Sequence, residues 1–207
     1  MQELLVVEVI PREKGRTSIR FDNGMEVLLY KGEVRKLSLR EGTVISREKY
    51  DEIIYEILGT RAKKRAMFLL ERMDRTEHQL REKLMQNGYP DVCVDLAVEY
   101  VRKYHYIDDL RYATTYISYQ QKKNSRQKLK MDLIAKGIEK SVIEQALDEV
   151  FDSDEQLKIR QLLEKKHYEP KECDRKEQQK IYQYLMRRGF KSSDILHVMK
   201  IWDEYEE

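Results

Sequence analysis

Long apolar runs, metal-ligand pairs and catalytic loops are all missing from this 207-residue chain, and each gap closes off a class of function. No stretch approaches the roughly 18 apolar residues of a membrane-spanning helix. The start Met1-Gln2-Glu3-Leu4 lacks the basic residues and apolar run of a secretory signal, so a soluble cytoplasmic protein is expected. Cys93 and Cys173 stand far apart, outside any C-x-x-C pair, which excludes a disulfide framework or zinc knuckle. His78, His105, His167 and His197 are scattered, with no H-E-x-x-H and no carboxylate at ligand spacing, and no metal or cofactor is expected. There is no G-x-x-x-x-G-K-[ST] loop to cradle a nucleotide. Nor do a nucleophile, a base and an oxyanion donor come together, so the chain does not read as an enzyme.

Charge of both signs fills the space left by these absences. Lys and Arg number 40 and Asp and Glu 38, for a net charge of +2, an interleaved pattern that suits the outer faces of amphipathic helices. The balance is uneven along the chain. Residues 61 to 138 hold 17 basic and 10 acidic side chains, whereas residues 139 to 207 hold 13 basic and 17 acidic. The middle is basic and the tail acidic.

Three signals at near-equal spacing organise the sequence. Leu84-Met85-Gln86-Asn87-Gly88-Tyr89, Leu133-Ile134-Ala135-Lys136-Gly137-Ile138 and Leu185-Met186-Arg187-Arg188-Gly189-Phe190 repeat one helix-end signal, with 49 residues between the first two glycines and 52 between the last two. Each interval has room for about three helices of ordinary length, and glycine supplies a left-handed C-cap. The apolar positions repeat in phase. Leu80, Leu129 and Ile181 precede the leucines by four, and Val94, Ile143 and Ile195 follow the glycines by six. Ala97, Ala146 and Val198 follow by nine, and Val98, Leu147 and Met199 by ten. These positions mark the packing faces of repeated three-helix modules. Thr76 with Gln79 and Asp174 with Glu177 have the capping-box pattern, and Ser125 takes the equivalent place in the second module.

The first 45 residues differ. Leu4 to Ile10, Ser18 to Phe21 and Met25 to Tyr30 are β-rich, and Asp22-Asn23-Gly24 is a hairpin signal. Ser46 is placed to cap a helix from about Arg47 to Leu58, with Gly59 as its end. The expected fold is therefore mainly α: three tandem three-helix repeats in an elongated array at 62–106, 107–152 and 153–207, preceded by a small β-rich domain at 1–45 and a connecting helix at 46–61.

Four segments carry a family resemblance: Arg61-Ala62-Lys63-Lys64-Arg65-Ala66, Arg75-Thr76-Glu77-His78-Gln79-Leu80-Arg81-Glu82-Lys83-Leu84, Tyr106-Ile107-Asp108-Asp109-Leu110-Arg111-Tyr112-Ala113, and Leu133 to Ile138. Through them the chain resembles the RecX family of bacterial recombinase regulators, over essentially its whole length. The resemblance implies an all-helical three-repeat protein that binds the RecA recombinase on DNA. Such a protein settles along the groove of the filament and limits its growth, ATP hydrolysis and coprotease activity, and so modulates recombinational repair and the SOS response. Family members commonly carry a glycine where this chain has Asn124-Ser125, and serine caps a helix start equally well. A monomer is expected. The competing reading is a stand-alone, helix-turn-helix-like DNA-binding module.

The candidate contact residues follow from charge and aromatic spacing. Residues 111 to 131 contain six basic side chains, three tyrosines and no acid, the chemistry that neutralises phosphates and stacks unpaired bases. Arg111, Tyr119, Lys122, Lys123, Arg126 and Lys130 are the candidates here, the last four around a helix start that favours an anion. Tyr112 and Tyr116 share a helical stripe with Tyr119 and read as core. Lys63, Lys64, Arg65, Arg72 and Arg75 form a second basic group along the first helix of the first module, diluted by Glu71 and Asp74, and it reads as a solvated face ahead of a contact surface. Asp108 and Asp109 read as helix caps rather than a metal or proton-sharing pair. Ser125-Arg126-Gln127-Lys128 matches S-x-x-K by accident, since S-D-N and K-T-G are missing. Trp202 is expected to pack the last helix.

Overall fold

The computed structural model describes residues 3–152, 154–170 and 173–199; Trp202 lies outside them. The chain divides into two compact units, one reaching to Asp108 and the other beginning at Asp109.

The first unit opens with strands β1 (Leu4–Pro11), β2 (Arg16–Phe21), β3 (Glu26–Tyr30) and β4 (Val44–Ile45), in an antiparallel sheet of order β3-β2-β1-β4. Helix α1 (Lys31–Lys36) lies between β3 and β4 in sequence. Alternation sends Leu4 and Val6, Ile19 and Phe21, Val27 and Leu29 to one buried face. The expected turn at Asp22-Asn23-Gly24 is present. Only Gly24 uses positive φ (81°), while the Asn23 side chain accepts the Met25 N–H at 3.0 Å. A second tight turn, unforeseen in sequence, joins β1 to β2 through Lys14 (φ 58°) and Gly15 (φ 71°). Two successive left-handed residues are what a two-residue hairpin of matching twist demands.

Beyond the sheet, Ser46 caps α2 (Arg47–Asp51), accepting from the Lys49 N–H at 3.2 Å. Gly59 does not end this helix. The backbone widens into a π-helical stretch over Glu52–Gly59 and runs straight into α3 (Thr60–Arg72), with Gly59 at a helical φ of −61°. The buried residues Ile54, Leu58, Ala62 and Ala66 keep one face of this continuous helix on the core. The absent side chain of Gly59 serves packing instead: a Cβ would lie 3.2 Å from Leu96 Cδ1 and from the Ile54 carbonyl.

Three helical modules follow one plan: α3, α4 (Glu77–Gln86) and α5 (Asp91–Lys103); α6 (Asp109–Gln120), α7 (Arg126–Ala135) and α8 (Lys140–Val150); α9 (Glu155–Glu164), α10 (Arg175–Arg187) and α11 (Ser192–Met199). In each, the first and third helices pack together. The phased apolar positions are buried or half-buried in every module. Gly88, Gly137 and Gly189 take φ of 84°, 80° and 81°. The N–H groups of Tyr89, Ile138 and Phe190 return to the carbonyls of Leu84, Leu133 and Leu185 at 3.3, 3.2 and 3.4 Å. Those of the glycines reach Met85, Ile134 and Met186 at 2.8 to 2.9 Å. These bonds form the two-bond Schellman closure in triplicate. His105 (φ 56°) and His167 (φ 51°) end α5 and α9 the same way, in the left-handed position that glycine usually fills.

The sheet and the first helical module share one core running from Leu4 to Ile107. Modules two and three, both in the second compact unit, each have their own core, centred on Ile117, Leu129 and Leu133 and on Ile159, Leu185 and Phe190. No described helix is long and apolar enough to cross a membrane.

Candidate partner-binding surfaces

The middle basic group sits on the turn from α6 to α7, and the neighbouring module clamps that turn. The fully buried Ser125 hydroxyl accepts the Lys128 N–H at 3.2 Å and donates to the Gly189 carbonyl at 2.7 Å, while the Ser125 N–H donates to the Arg188 carbonyl at 3.0 Å. Arg188 in turn donates to the Lys123 carbonyl at 3.1 Å. The anion position expected at the start of α7 is filled from within, because the Glu155 carboxylate takes the Arg126 N–H at 2.7 Å.

The basic side chains then separate into two kinds. Arg126 is held by Glu144 at 3.0 Å and Asp148 at 2.8 Å, and Lys130 is paired with Glu144. All four line a mixed-charge groove of about 880 Å³ beside Glu155 and Gly189. Lys122 and Lys123 are exposed and have no carboxylate partner among the described residues, and Arg111 is exposed on α6. The tyrosine stripe splits as well. Tyr112 and Tyr116 are half-buried against the module core under the Lys136 ammonium, 5.9 and 5.2 Å from their ring centres. The Tyr116 hydroxyl donates to Asp132 at 3.2 Å, and burial reinforced by that carboxylate pushes it up to about 12. Tyr119 is 78% exposed.

On α3, Lys64 and Arg72 are exposed, and Arg75, in the connection to α4, is half-buried. Lys63 lies 5.8 Å from the centre of the Tyr100 ring, and Arg72 and Arg65 flank the exposed Phe68 ring at 4.3 and 5.2 Å. Tyr100, Tyr104 and Tyr106 form a ladder with centroid separations of 4.9 and 6.4 Å, its last two rings about half exposed. Sequence reasoning missed this ladder. Its only sequence signal is an i, i+4, i+6 tyrosine spacing running off a helix end.

The remaining polar residues hold the modules together. The Thr76 hydroxyl and Gln79 side chain form the full reciprocal capping box of α4. Asp174 caps α10 by accepting the Glu177 N–H at 2.7 Å. Asp108 immediately precedes α6 and Asp109 opens it. Among the described residues, no group of three or more His, Cys, Asp or Glu could hold a metal ion. Burial pushes the Cys93 thiol up to about 11, leaving it protonated and unreactive.

Glu77, the first residue of α4, links Arg81 at 2.9 Å with Arg102, and Arg81 continues to Asp95 at 2.6 Å. Burial pushes the Glu77 carboxyl up, but the hydrogen bonds from Arg81 and Arg102 and their charges outweigh it and hold the group below its ordinary value. A depressed carboxylate stabilises the fold above its unfolded-state value, and that contribution disappears as pH falls through the folded-state value. Glu77→Gln therefore costs about 1–2 kcal/mol in urea denaturation near pH 7 and progressively less as pH falls through the folded-state value. An equal loss at every pH would assign Glu77 a role independent of its charge.

Three consecutive three-helix modules following a four-stranded sheet define a class of tandem helical-repeat proteins. Three family models match in order: the first, second and third three-helix domains of RecX, at residues 62–100, 108–147 and 153–199. The regulatory protein RecX of Clostridium acetobutylicum is 30% identical over 199 residues, covering 94% of this chain and 93% of that one. That of Caldanaerobacter subterraneus subsp. tengcongensis is 30% identical over 195 residues, covering 93% and 96%. The chain belongs to the RecX family of regulatory proteins. The crystal structure of a regulatory protein RecX superposes with a TM-score of 0.60 at 24% identity, covering 96% of this chain and 99% of that one. RecX from Lactobacillus salivarius superposes with a TM-score of 0.58 at 23% identity, covering 71% and 97%. Both show the same fold.

Proposed function

We propose that this chain is a non-enzymatic regulator that binds the RecA recombinase filament on DNA and limits its growth, ATP hydrolysis and coprotease activity. The observation that carries the reading is near full-length similarity to RecX regulators, with all three modules matched in order. Exposed groups on separate modules supply many modest contacts, and occupancy of a surface that the next protomer needs changes filament growth by mass action without any catalytic residue. Within the second module Lys122, Lys123 and Tyr119 lead the contact set, because Arg126 and Lys130 are paired with Glu144 and Asp148. The protein acts as a monomer in the cytoplasm. Titrating it into RecA hydrolysing ATP on single-stranded DNA tests the proposal: hydrolysis falls with added protein, and an unchanged rate at micromolar excess overturns it.

A further inference from the structure

We infer that the N-terminal sheet and the first helical module together build a second contact site, a cationic cleft that takes the phosphates of a single-stranded nucleic acid and stacks a base on Tyr30. The cleft, of about 360 Å³, is lined chiefly by Lys14, Arg16, Tyr30, Arg61, Arg65 and Tyr89, and no carboxylate lines it. It exists only because the shared core brings the β1–β2 turn and the start of β2 against the first turn-closing glycine, with Leu28 packed on Gly88.

Its charges are unequal. Glu33 reaches Arg61 from the side and answers that guanidinium, which also donates to the Leu28 carbonyl at 3.4 Å. Lys14, Arg16 and Arg65 have no acidic partner among the described residues, and the Nε–H groups of Arg16 and Arg65 are buried without an acceptor. Lys14 is exposed and Arg16 and Arg65 are half-buried, so all three side chains present positive charge, unmatched by a carboxylate, to an anion entering the cleft. The backbone reinforces the point. Lys14 holds φ 58°, where asparagine or glycine would sit with less strain, and its turn is tied down by the Lys31 N–H on the Gly15 carbonyl at 3.0 Å. A long cation kept at a strained, rigid hairpin tip fits a recognition role better than a folding one.

The aromatic component selects the polymer. Tyr30 is 48% exposed, with the Arg61 guanidinium 4.5 Å from its ring centre, an arginine-backed platform of the kind that stacks unpaired bases. Burial pushes the neighbouring Tyr89 hydroxyl up, so it remains a neutral donor. An acidic peptide would need the cations but not the ring. The choice of nucleic acid rests on the proposed action at a DNA-borne filament; the cleft itself does not.

The test uses fluorescein-labelled oligothymidylate of 20 nucleotides, the full chain and no recombinase, so a failure here is distinct from failure of RecA inhibition. Anisotropy is followed across a sodium chloride series. Changing Lys14→Gly, Arg16→Gln and Arg65→Gln together lowers affinity at least about tenfold at low salt. It also reduces the log–log salt slope by about 2, the sum expected for three lost phosphate contacts on a single strand. Lys14→Gly alone reduces the slope by about 0.7 with a melting temperature equal to or above that of the parent, since glycine accepts the left-handed backbone. That single variant decides the matter should the arginine changes unfold the chain. An unchanged slope in Lys14→Gly overturns the proposal. So does displacement of the oligonucleotide by a glutamate decamer as readily as by unlabelled oligothymidylate, which would make the cleft a site for an acidic protein segment.

Discussion

An alanine at position 189 destabilises the second compact unit by about 2–4 kcal/mol, more than the same change at Gly88, whose surroundings are looser. Two costs combine. Gly189 holds φ +81°, where a side chain is penalised by about 1–2 kcal/mol. The new Cβ would also stand 2.6 Å from Ser125 Oγ, 2.7 Å from Lys128 Cβ and 3.1 Å from the Lys128 backbone nitrogen. Backbone at that distance cannot rotate away, so the junction must open. Opening removes the Ser125 cap of α7, itself worth about 1 kcal/mol, and the 2.7 Å bond from its hydroxyl to the Gly189 carbonyl. Gly88→Ala is the matched control, with φ +84° but only the Leu28 side-chain end at 3.2 Å, and it costs about 1–2 kcal/mol. Urea unfolding of the two variants, with hydrogen exchange at the α7 and α10 amides, measures the difference. Equal losses would mean that the contact between modules two and three adds nothing to the turn itself.

Splitting the middle basic group separates partner binding from stability. Lys122→Gln with Lys123→Gln leaves unfolding within about 0.5 kcal/mol of the parent, yet raises the concentration needed for half-inhibition of RecA ATP hydrolysis about tenfold, or about 1.4 kcal/mol of lost contact. Arg126→Gln with Lys130→Gln does the reverse. It removes the pairs to Glu144 and Asp148, and stability falls slightly, because water screens these exposed groups. Half-inhibition then shifts by less than about threefold. Similar potency loss from both pairs would show that the ion-paired residues change partners on the filament. Loss from neither removes this surface from the mechanism.

Features encoded within a few residues were legible in the sequence. Left-handed closure at Gly88, Gly137 and Gly189, the caps at Thr76, Ser125 and Asp174, and the Asp22-Asn23-Gly24 hairpin each follow from local conformational cost and hydrogen-bond supply. The phased positions around Val94, Ile143 and Ile195 were legible because a helix repeats its inward face whatever it packs against. What failed depended on partners distant in sequence. Gly59 looked like a helix end, but the helix continues through it, with a close approach by Leu96. Nothing local to Arg126 and Lys130 announces that they are ion-paired, since the partners Glu144 and Asp148 lie on α8. The cationic cleft was illegible for the same reason. Lys14 and Arg16 lie some 45 residues or more before Arg61 and Arg65, and nothing local announces that a common core joins them.

That common core also orders events on the ribosome. The strands leave the exit tunnel first, yet the core that contains Leu4, Val6, Ile19 and Leu29 continues to Val101 and Ile107. At ordinary translation speeds the roughly 60 residues between the last strand and Ile107 take about 3–12 s to synthesise. Throughout that interval the nascent hairpins offer an unfinished apolar face to chaperones, and slow codons between positions 46 and 107 would lengthen the exposure.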